Sequence, residues 1–308
     1  MSFPATSANL GPAFDAAALA FDLHLKMDAR AAGEFAIVAR GRDADVCGNA
    51  ENHLIVETYK EVMASQGRPV VPVALRIDNE MPIGKGCGSS AAARLAGIAL
   101  AVHFGNLPWT DEQIVGEASR REHHPDNAAA CWLGGLVVAR MENEAEAQAI
   151  KIKPKGKWPL LFAVPEEPLS TEEARRVLPS EYSRDDAVAN IQNSLLLLGA
   201  FVQGRPDLLG SALEDRLHQP YRGPLCPLLP ALQQQVGQHG IAGVALSGAG
   251  PSVLVFLEVN AKGKMAKAAV GKYLKQRNIK AELILTSIVE AGAVDSPGWK
   301  HRRRMGGR

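Results

Sequence analysis

Residues 82–100 read PIGKGCGSSAAARLAGIAL: Gly84, Gly86 and Gly88 alternate with Lys85 and Cys87, Ser89 and Ser90 follow, and the chain then becomes a run of small apolar residues. Alternating glycines permit backbone conformations that point successive N–H groups into one concavity, and the helix that follows adds its positive end. Such a loop holds an anion, with phosphate the natural choice. It is neither a Walker A loop, which needs GxxxxGK followed by Ser or Thr, nor a Rossmann loop, which needs GxGxxG and an acidic residue further on. The competing reading is a tight strand-to-helix turn with Ser89 or Ser90 as an ordinary N-cap. The hydroxyls favour the anion site, since a serine at a helix start can also ligate Mg2+ between two phosphates.

Working outward, PVALRIDNEMPIG reads as a strand running into this loop, and residues 91–104 as a helix apolar on nearly every side and therefore buried. Residues 52–66 set Leu54, Ile55, Thr58, Tyr59, Val62 and Met63 at helical spacing. Upstream, Pro4 to Asp15 reads as a polar, turn-rich loop leading into a strand. Downstream come a helix over about 111–122, a polar loop, a short helical turn, a Gly134-Gly135 break and a strand. The charged stretch 141–157 reads as a solvated linker, and the domain boundary falls there, giving units of 1–157 and 158–292.

The second unit opens on the strand WPLLFAVP and a helix over about 171–177, followed by a long helix that stops at Gly204 ahead of Pro206. The glycine turn SGAGPS at 247–252 lies between two apolar strands, and a last helix and strand follow. Strands and helices mix without strict βαβ alternation, which indicates an α+β fold. Residues 293–308 form a basic tail without apolar periodicity, expected to be disordered.

With 308 residues the chain can bury a large core, and a net charge of +1 gives no field that would favour nucleic acid. The four cysteines form no CxxC pair, so neither a zinc site nor a disulfide framework is indicated. No stretch approaches the ~20 apolar residues of a membrane span, and the N-terminus lacks a signal-peptide pattern. A cytoplasmic protein with small-molecule partners, no nucleic acid and no membrane is expected. A homodimer is compatible with the sequence, which does not fix the oligomeric state.

Polar residues cluster at four further places. Asn9 and Asp15 flank a Gly-Pro turn, and Glu122, His123, His124, Asp126 and Asn127 crowd together before an apolar helical turn. A metal held by His123 and His124 is disfavoured, because adjacent side chains rarely converge on one ion. Asp126 with Asn127 suits a polar substrate, and an acidic residue just before suits Mg2+. Arg175 sits early in a helix opened by Ser170 or Thr171 with Glu173, and Arg222 in a Pro-flanked loop; either could clamp a carboxylate.

Taken in order, PATSANLGPAFD, PIGKGCGSSAA and LSGAGPSVLVF resemble the three motifs of the GHMP kinase superfamily. Within it, HPDNAAACWLGG, STEEARRVLP and PYRG are similar to the branch that phosphorylates homoserine. The resemblance implies a two-domain GHMP architecture, with an N-terminal domain like the second domain of ribosomal S5 and a ferredoxin-like C-terminal domain. It implies transfer of the ATP γ-phosphoryl group to the side-chain hydroxyl of L-homoserine, on the route to threonine, with Mg2+.

By matching motif, Pro82, Ile83, Gly84, Lys85, Gly86, Cys87, Gly88, Ser89, Ser90, Ala91 and Ala92 would wrap the ATP phosphates, with Ser90 and Glu122 near Mg2+. Glu117 is a rival for that carboxylate. Asn9, Asp15, Asp126 and Asn127 would hold the homoserine amino group and hydroxyl, with Asp126 orienting the hydroxyl, and Arg175 and Arg222 its carboxylate. Ala13 and Cys87 stand where the motifs have glycine and Leu or Met; a position needing positive φ would penalise Ala13. A kinase for another small alcohol and a catalytically silent ligand-binding paralogue are the competing functions.

Overall fold

A computed structural model describes residues 1–299, and its first element departs from the sequence reading. Pro4–Ala8 is no polar loop: it belongs to strand β1 (Ser2–Ala8), where Thr6 and Ser7 are fully buried. β1 pairs antiparallel with β2 (Ala17–Ala31), so the chain reverses within the Asn9 to Ala16 segment. β3 (Ala36–Gly41), helices α1 (Ala44–Gly48) and α2 (Leu54–Ser65), and β4 (Val73–Asn79) follow. After the glycine loop come α3 (Ser89–Phe104), α4 (Asp111–Glu122), α5 (Asp126–Leu133), β5 (Leu136–Met141) and β6 (Ala147–Ile152). The charged stretch expected to be a linker thus contains β6, an edge strand antiparallel to β5. Only Ala147 of this strand is buried, and the exposed Gln148, Ile150 and Lys151 beside charged neighbours explain the misreading.

These strands form one sheet in the order β3-β4-β2-β5-β6, with β1 also on β2. The second sheet is β7 (Pro159–Pro165), β8 (Ile241–Leu246), β9 (Val253–Leu257) and β10 (Ala281–Ser287), antiparallel throughout in the order β10-β7-β9-β8. Between β7 and β8 run α6 (Thr171–Arg176), α7 (Arg184–Gln203), α8 (Leu209–Ala212), α9 (Gln219–Arg222) and α10 (Leu228–Gln233); α11 (Gly263–Gln276) precedes β10. The α+β expectation holds.

The period of two along β7 divides the interior. Leu160, Phe162 and Val164 face a core shared with the first sheet, α3 and α7, whereas Leu161 and Ala163 face a smaller core under α10 and α11. Residues 293–299 do not continue as a tail: Ala293 is buried and Trp299 meets Trp132 edge-on at 5.4 Å. Residues 300–308 of the expected tail lie outside the described residues. Among the described residues no helix is long and apolar enough to cross a membrane, and all four cysteines are buried as free thiols.

Candidate active site

Three loops that lie far apart in sequence meet at the end of β1. Thr6 N–H donates to the Cys87 carbonyl at 3.0 Å, and Gly248 N–H donates to the Ala8 carbonyl at 3.1 Å. Ser247 Oγ closes the triangle by donating to the Gly86 carbonyl at 2.6 Å. Gly86 has φ 77°, and a Cβ there would fall 2.5 Å from the Ser247 carbonyl, so glycine is what lets the two turns touch.

The glycine loop ends in α3, whose N-cap is Gly88 in the left-handed region, not Ser89 or Ser90. No side chain caps it, so the first-turn N–H groups remain available to an anion. Ser90 Oγ donates to Glu122 Oε1 at 2.6 Å. Arg94 Nε donates to the same oxygen at 2.5 Å, which leaves Oε2 for a cation. A hydroxyl beside a carboxylate at a helix N-terminus is an oxygen-donor set that fits Mg2+. Glu117 is turned away, engaged by Arg120 and Arg121. Not every loop side chain faces inward: Lys85 Nζ reaches the Glu166 carbonyl, Ala91 and Ala92 are buried in the protein, and the Cys87 thiol is fully buried, donating to the Pro82 carbonyl. Burial pushes that thiol up to about 12.

Beside the loop lies a polar cleft of about 210 Å³ whose wall includes Asp15, His124, Asp126, Asn127, Arg175 and Arg222. Asp126, the first residue of α5, is 1% exposed. Its Oδ1 bonds to His124 Nδ1 at 2.6 Å, while its Oδ2 is buried without any partner. Asn127 Oδ1 accepts from Thr6 Oγ1 at 2.7 Å. His124, set aside in the sequence reading, is held here beside two carboxylates. Burial works against its charge, but the bond to Asp126 and the charges of Asp126, Asp15 and Glu122 outweigh it and raise the imidazole pKa.

Asp15 and Arg175 pair with each other: Arg175 Nη2 lies 3.0 and 3.1 Å from the two Asp15 oxygens. Burial, helped by Asp126, raises the Asp15 carboxyl against the pull of Arg175. Asp15, His124 and Asp126 form a cluster of metal-ligating type, in which the Arg175 guanidinium already sits on Asp15. Asn9 is committed to the loops, with Nδ2 donating to the Gly248 carbonyl at 2.8 Å and Oδ1 accepting from Asp15 N–H at 2.9 Å. Ala13 has no positive φ, so its departure from glycine costs nothing here.

Arg222 is not on a loop. It ends α9, is 1% exposed, and donates to the Ala174 carbonyl and to His218 Nδ1. Burial, with the charge of Arg175, lowers it to about 10, still cationic at neutral pH. Phe14 lies under both arginines, at 5.6 Å from Arg175 and 5.3 Å from Arg222, and stacks on His218. Sequence reasoning missed Phe14, His218 and Thr6, which contact Arg175, Gly11 and Asn127 respectively across long stretches of chain.

A second pocket, about 550 Å³ and mainly apolar, opens from the glycine loop between α1, α2 and β4. Leu25, Cys47, His53, Ile77 and Met81 line it, and it shares Gly84, Ser89 and Ser90 with the polar cleft. Its chemistry fits a flat heteroaromatic base. Beyond the glycine loop no motif marks it in the sequence, because its apolar lining is assembled from separate elements.

The family model for the GHMP kinase N-terminal domain matches residues 53–135, and that for the C-terminal domain residues 197–277. Homoserine kinase from Solibacter usitatus is 43% identical over 84% of this chain and 84% of its own. Homoserine kinase from Carboxydothermus hydrogenoformans is 32% identical over 96% of each chain. The crystal structure of homoserine kinase from Cytophaga hutchinsonii superimposes with a TM-score of 0.78 at 22% identity, covering 94% of this chain and 96% of that one.

Proposed function

The chain belongs to the homoserine kinase family of the GHMP kinases, and from that premise we propose how its cleft performs the ATP-dependent phosphorylation of L-homoserine. The adenine of ATP enters the apolar pocket, and its phosphates lie on the glycine loop at the N-terminus of α3. Homoserine occupies the polar cleft, its amino group on Asp15 and its carboxylate on Arg175 and Arg222. The internal Asp15–Arg175 pair supports this reading, because it gathers the two charges that a zwitterion would separate and satisfy.

The observation that carries the proposal is the orphaned Asp126 Oδ2. A buried carboxylate oxygen without a partner is costly, and a substrate hydroxyl lying on it would relieve that cost. Asp126 then orients the homoserine oxygen toward the γ-phosphorus. The new O–P bond forms as the bond to the β-phosphate oxygen breaks, ADP departs, and the hydroxyl proton leaves by way of Asp126, with His124 holding that carboxylate in place. Charge spreading over the transferred group is met by the N–H groups of the loop and α3. Ser90 and Glu122 would hold Mg2+, which when bound neutralises phosphate charge.

A coupled ADP-release assay over homoserine, mevalonate, galactose and shikimate tests the substrate. Turnover with homoserine alone is expected; turnover with another alcohol and none with homoserine would sink the reading. Asp126→Asn is expected to lower kcat by about 100-fold or more with ATP affinity retained. An unchanged kcat would remove Asp126 from the chemistry.

A further inference from the structure

Arg222 is held by neutral groups. Its Nε donates to the Ala174 carbonyl at 3.0 Å and its Nη1 to His218 Nδ1 at 3.2 Å, with the Gly248 carbonyl 3.5 Å away. Among the described residues no carboxylate bonds to it, and nothing accepts from its Nη2. Because Arg222 lines the polar cleft, that unbonded edge of the guanidinium is the one left for a ligand. Arg175 differs, since Asp15 already meets its charge. The uncompensated cation of the cleft is therefore Arg222.

The imidazole that holds it is fixed on every side. A carbonyl can only accept and a guanidinium can only donate, so His218 donates from Nε2 to the Gly11 carbonyl at 2.7 Å and accepts at Nδ1. These two bonds select one neutral tautomer, with the proton on Nε2. Phe14 stacks on the ring at 5.3 Å and lies under Arg222 at the same distance. Asp215, whose side chain is fully buried, fixes the backbone of His218. It accepts from the N–H groups of Leu217, His218 and Gln219 and from Asn190 Nδ2, so its oxygens are spent on α7 and the start of α9. Gly11 belongs to the same turn as Asp15, and Asp15 holds Arg175, so both arginines are set against one turn of the chain.

We propose that His218 is a positioning residue of the homoserine clamp: its neutral ring aims Arg222 into the cleft without neutralising it, and thereby sets selection for a substrate carboxylate. The inference rests on the assignment of that carboxylate to Arg222. An Asp or Glu in place of the imidazole would hold the guanidinium but compete with the substrate for its charge. A side chain without an acceptor would leave Nη1 unbraced and the fork free to turn.

The test compares homoserine with 3-aminopropanol, which is homoserine without its carboxylate. His218→Phe keeps a ring against Phe14 and removes both nitrogens. The homoserine KM should then rise about 10- to 100-fold, by more than any fall in kcat, as for a misaligned charge-assisted bond. The inhibition constant of 3-aminopropanol and the ATP KM should not move. His218→Gln, which restores a donor and an acceptor, should recover most of the homoserine affinity. An unchanged homoserine KM in His218→Phe, or an equal loss for 3-aminopropanol, would overturn the proposal. Arg222→Met separates it from the reading beneath it. An unchanged homoserine KM there sinks the carboxylate assignment, whereas a raised KM with no effect of His218→Phe sinks the positioning role alone. If His218→Phe does not fold, nitrogen NMR of the histidine-labelled wild type decides. The signal lost in His218→Gln should be that of a neutral ring protonated on Nε2, and a ring protonated on Nδ1 would refute the proposal.

Discussion

Phe14 and His218 organise the arginine end of the cleft, Phe14 from within the first motif and His218 from four residues before Arg222. His218 is fully buried, bonds through Nε2 to the Gly11 carbonyl at 2.7 Å, and accepts from Arg222 through Nδ1. The ring must be neutral to play both parts, and burial holds its pKa far below the ordinary 6.5. Because the folded state resists the proton that the unfolded chain accepts, the stability this residue confers is complete above about pH 6.5 and declines as the pH falls below it. Thermal melts from pH 7.5 to 5 should therefore fall more steeply for the wild type than for His218→Gln; parallel curves would show that His218 does not titrate in this way. Arg175 gives the cleaner kinetic test of the two arginines, because Arg222 also braces backbone. Arg175→Met is expected to raise the homoserine KM by about 10- to 100-fold, the loss of a charge-assisted bond, with the ATP KM unchanged. A matching rise in both would mean that the residue shapes the fold.

The glycine loop is an element whose role depends on what a side chain would displace. Gly88 has φ 69°, and a Cβ there would fall 1.9 Å from Thr6 Oγ1, inside the bond from Thr6 to Asn127. Gly88→Ala should therefore weaken ATP binding and homoserine binding together and lower the melting temperature, readable by isothermal titration and a thermal melt. Loss of ATP binding alone would confine the glycine to the loop. The loop was legible in the sequence because its signal is local: glycine spacing, two serines and an apolar helix all lie within one short stretch. Asp126, Asn127, Arg175 and Arg222 were legible as charged or amide groups in turn-rich settings. The apolar pocket was not, because Leu25, Cys47, His53 and Met81 are unremarkable until α1, α2, β2 and β4 bring them together. β1 was misread because Thr6 and Ser7 look like loop residues and are buried only once β2, the glycine loop and α5 close over them. α9 was misread because a four-residue turn of helix beginning Gln-Pro has no periodicity to read.

At the scale of the molecule, the question is whether the two sheets unfold as one body. Two kinds of contact join them, and their magnitudes differ. At the surface Arg42 forms a two-pronged ion pair with Glu282 across the sheets. Both partners are more than a third exposed, so the pair contributes on the order of 1 kcal/mol or less. In the interior Phe21 of β2 and Phe162 of β7 meet at 4.9 Å inside a core continuous with α3 and α7. The backbones are tied beside them, where Val289 N–H donates to the Ala20 carbonyl. Removing a buried Phe costs roughly 3–5 kcal/mol, through lost transfer energy and the cavity left behind. Phe162→Ala should therefore destabilise both halves together in one urea transition, whereas Glu282→Gln should move the midpoint only slightly. Tryptophan fluorescence offers one probe near each sheet, with Trp132 on α5 and Trp158 just before β7, each followed in a variant in which the other three of the four tryptophans are replaced. Coincident curves in wild type and in Phe162→Ala mean that the shared core makes the cleft between the sheets a rigid seat for two substrates. Separated curves would mean that the sheets are coupled only at the surface and that the cleft opens by local unfolding of one half.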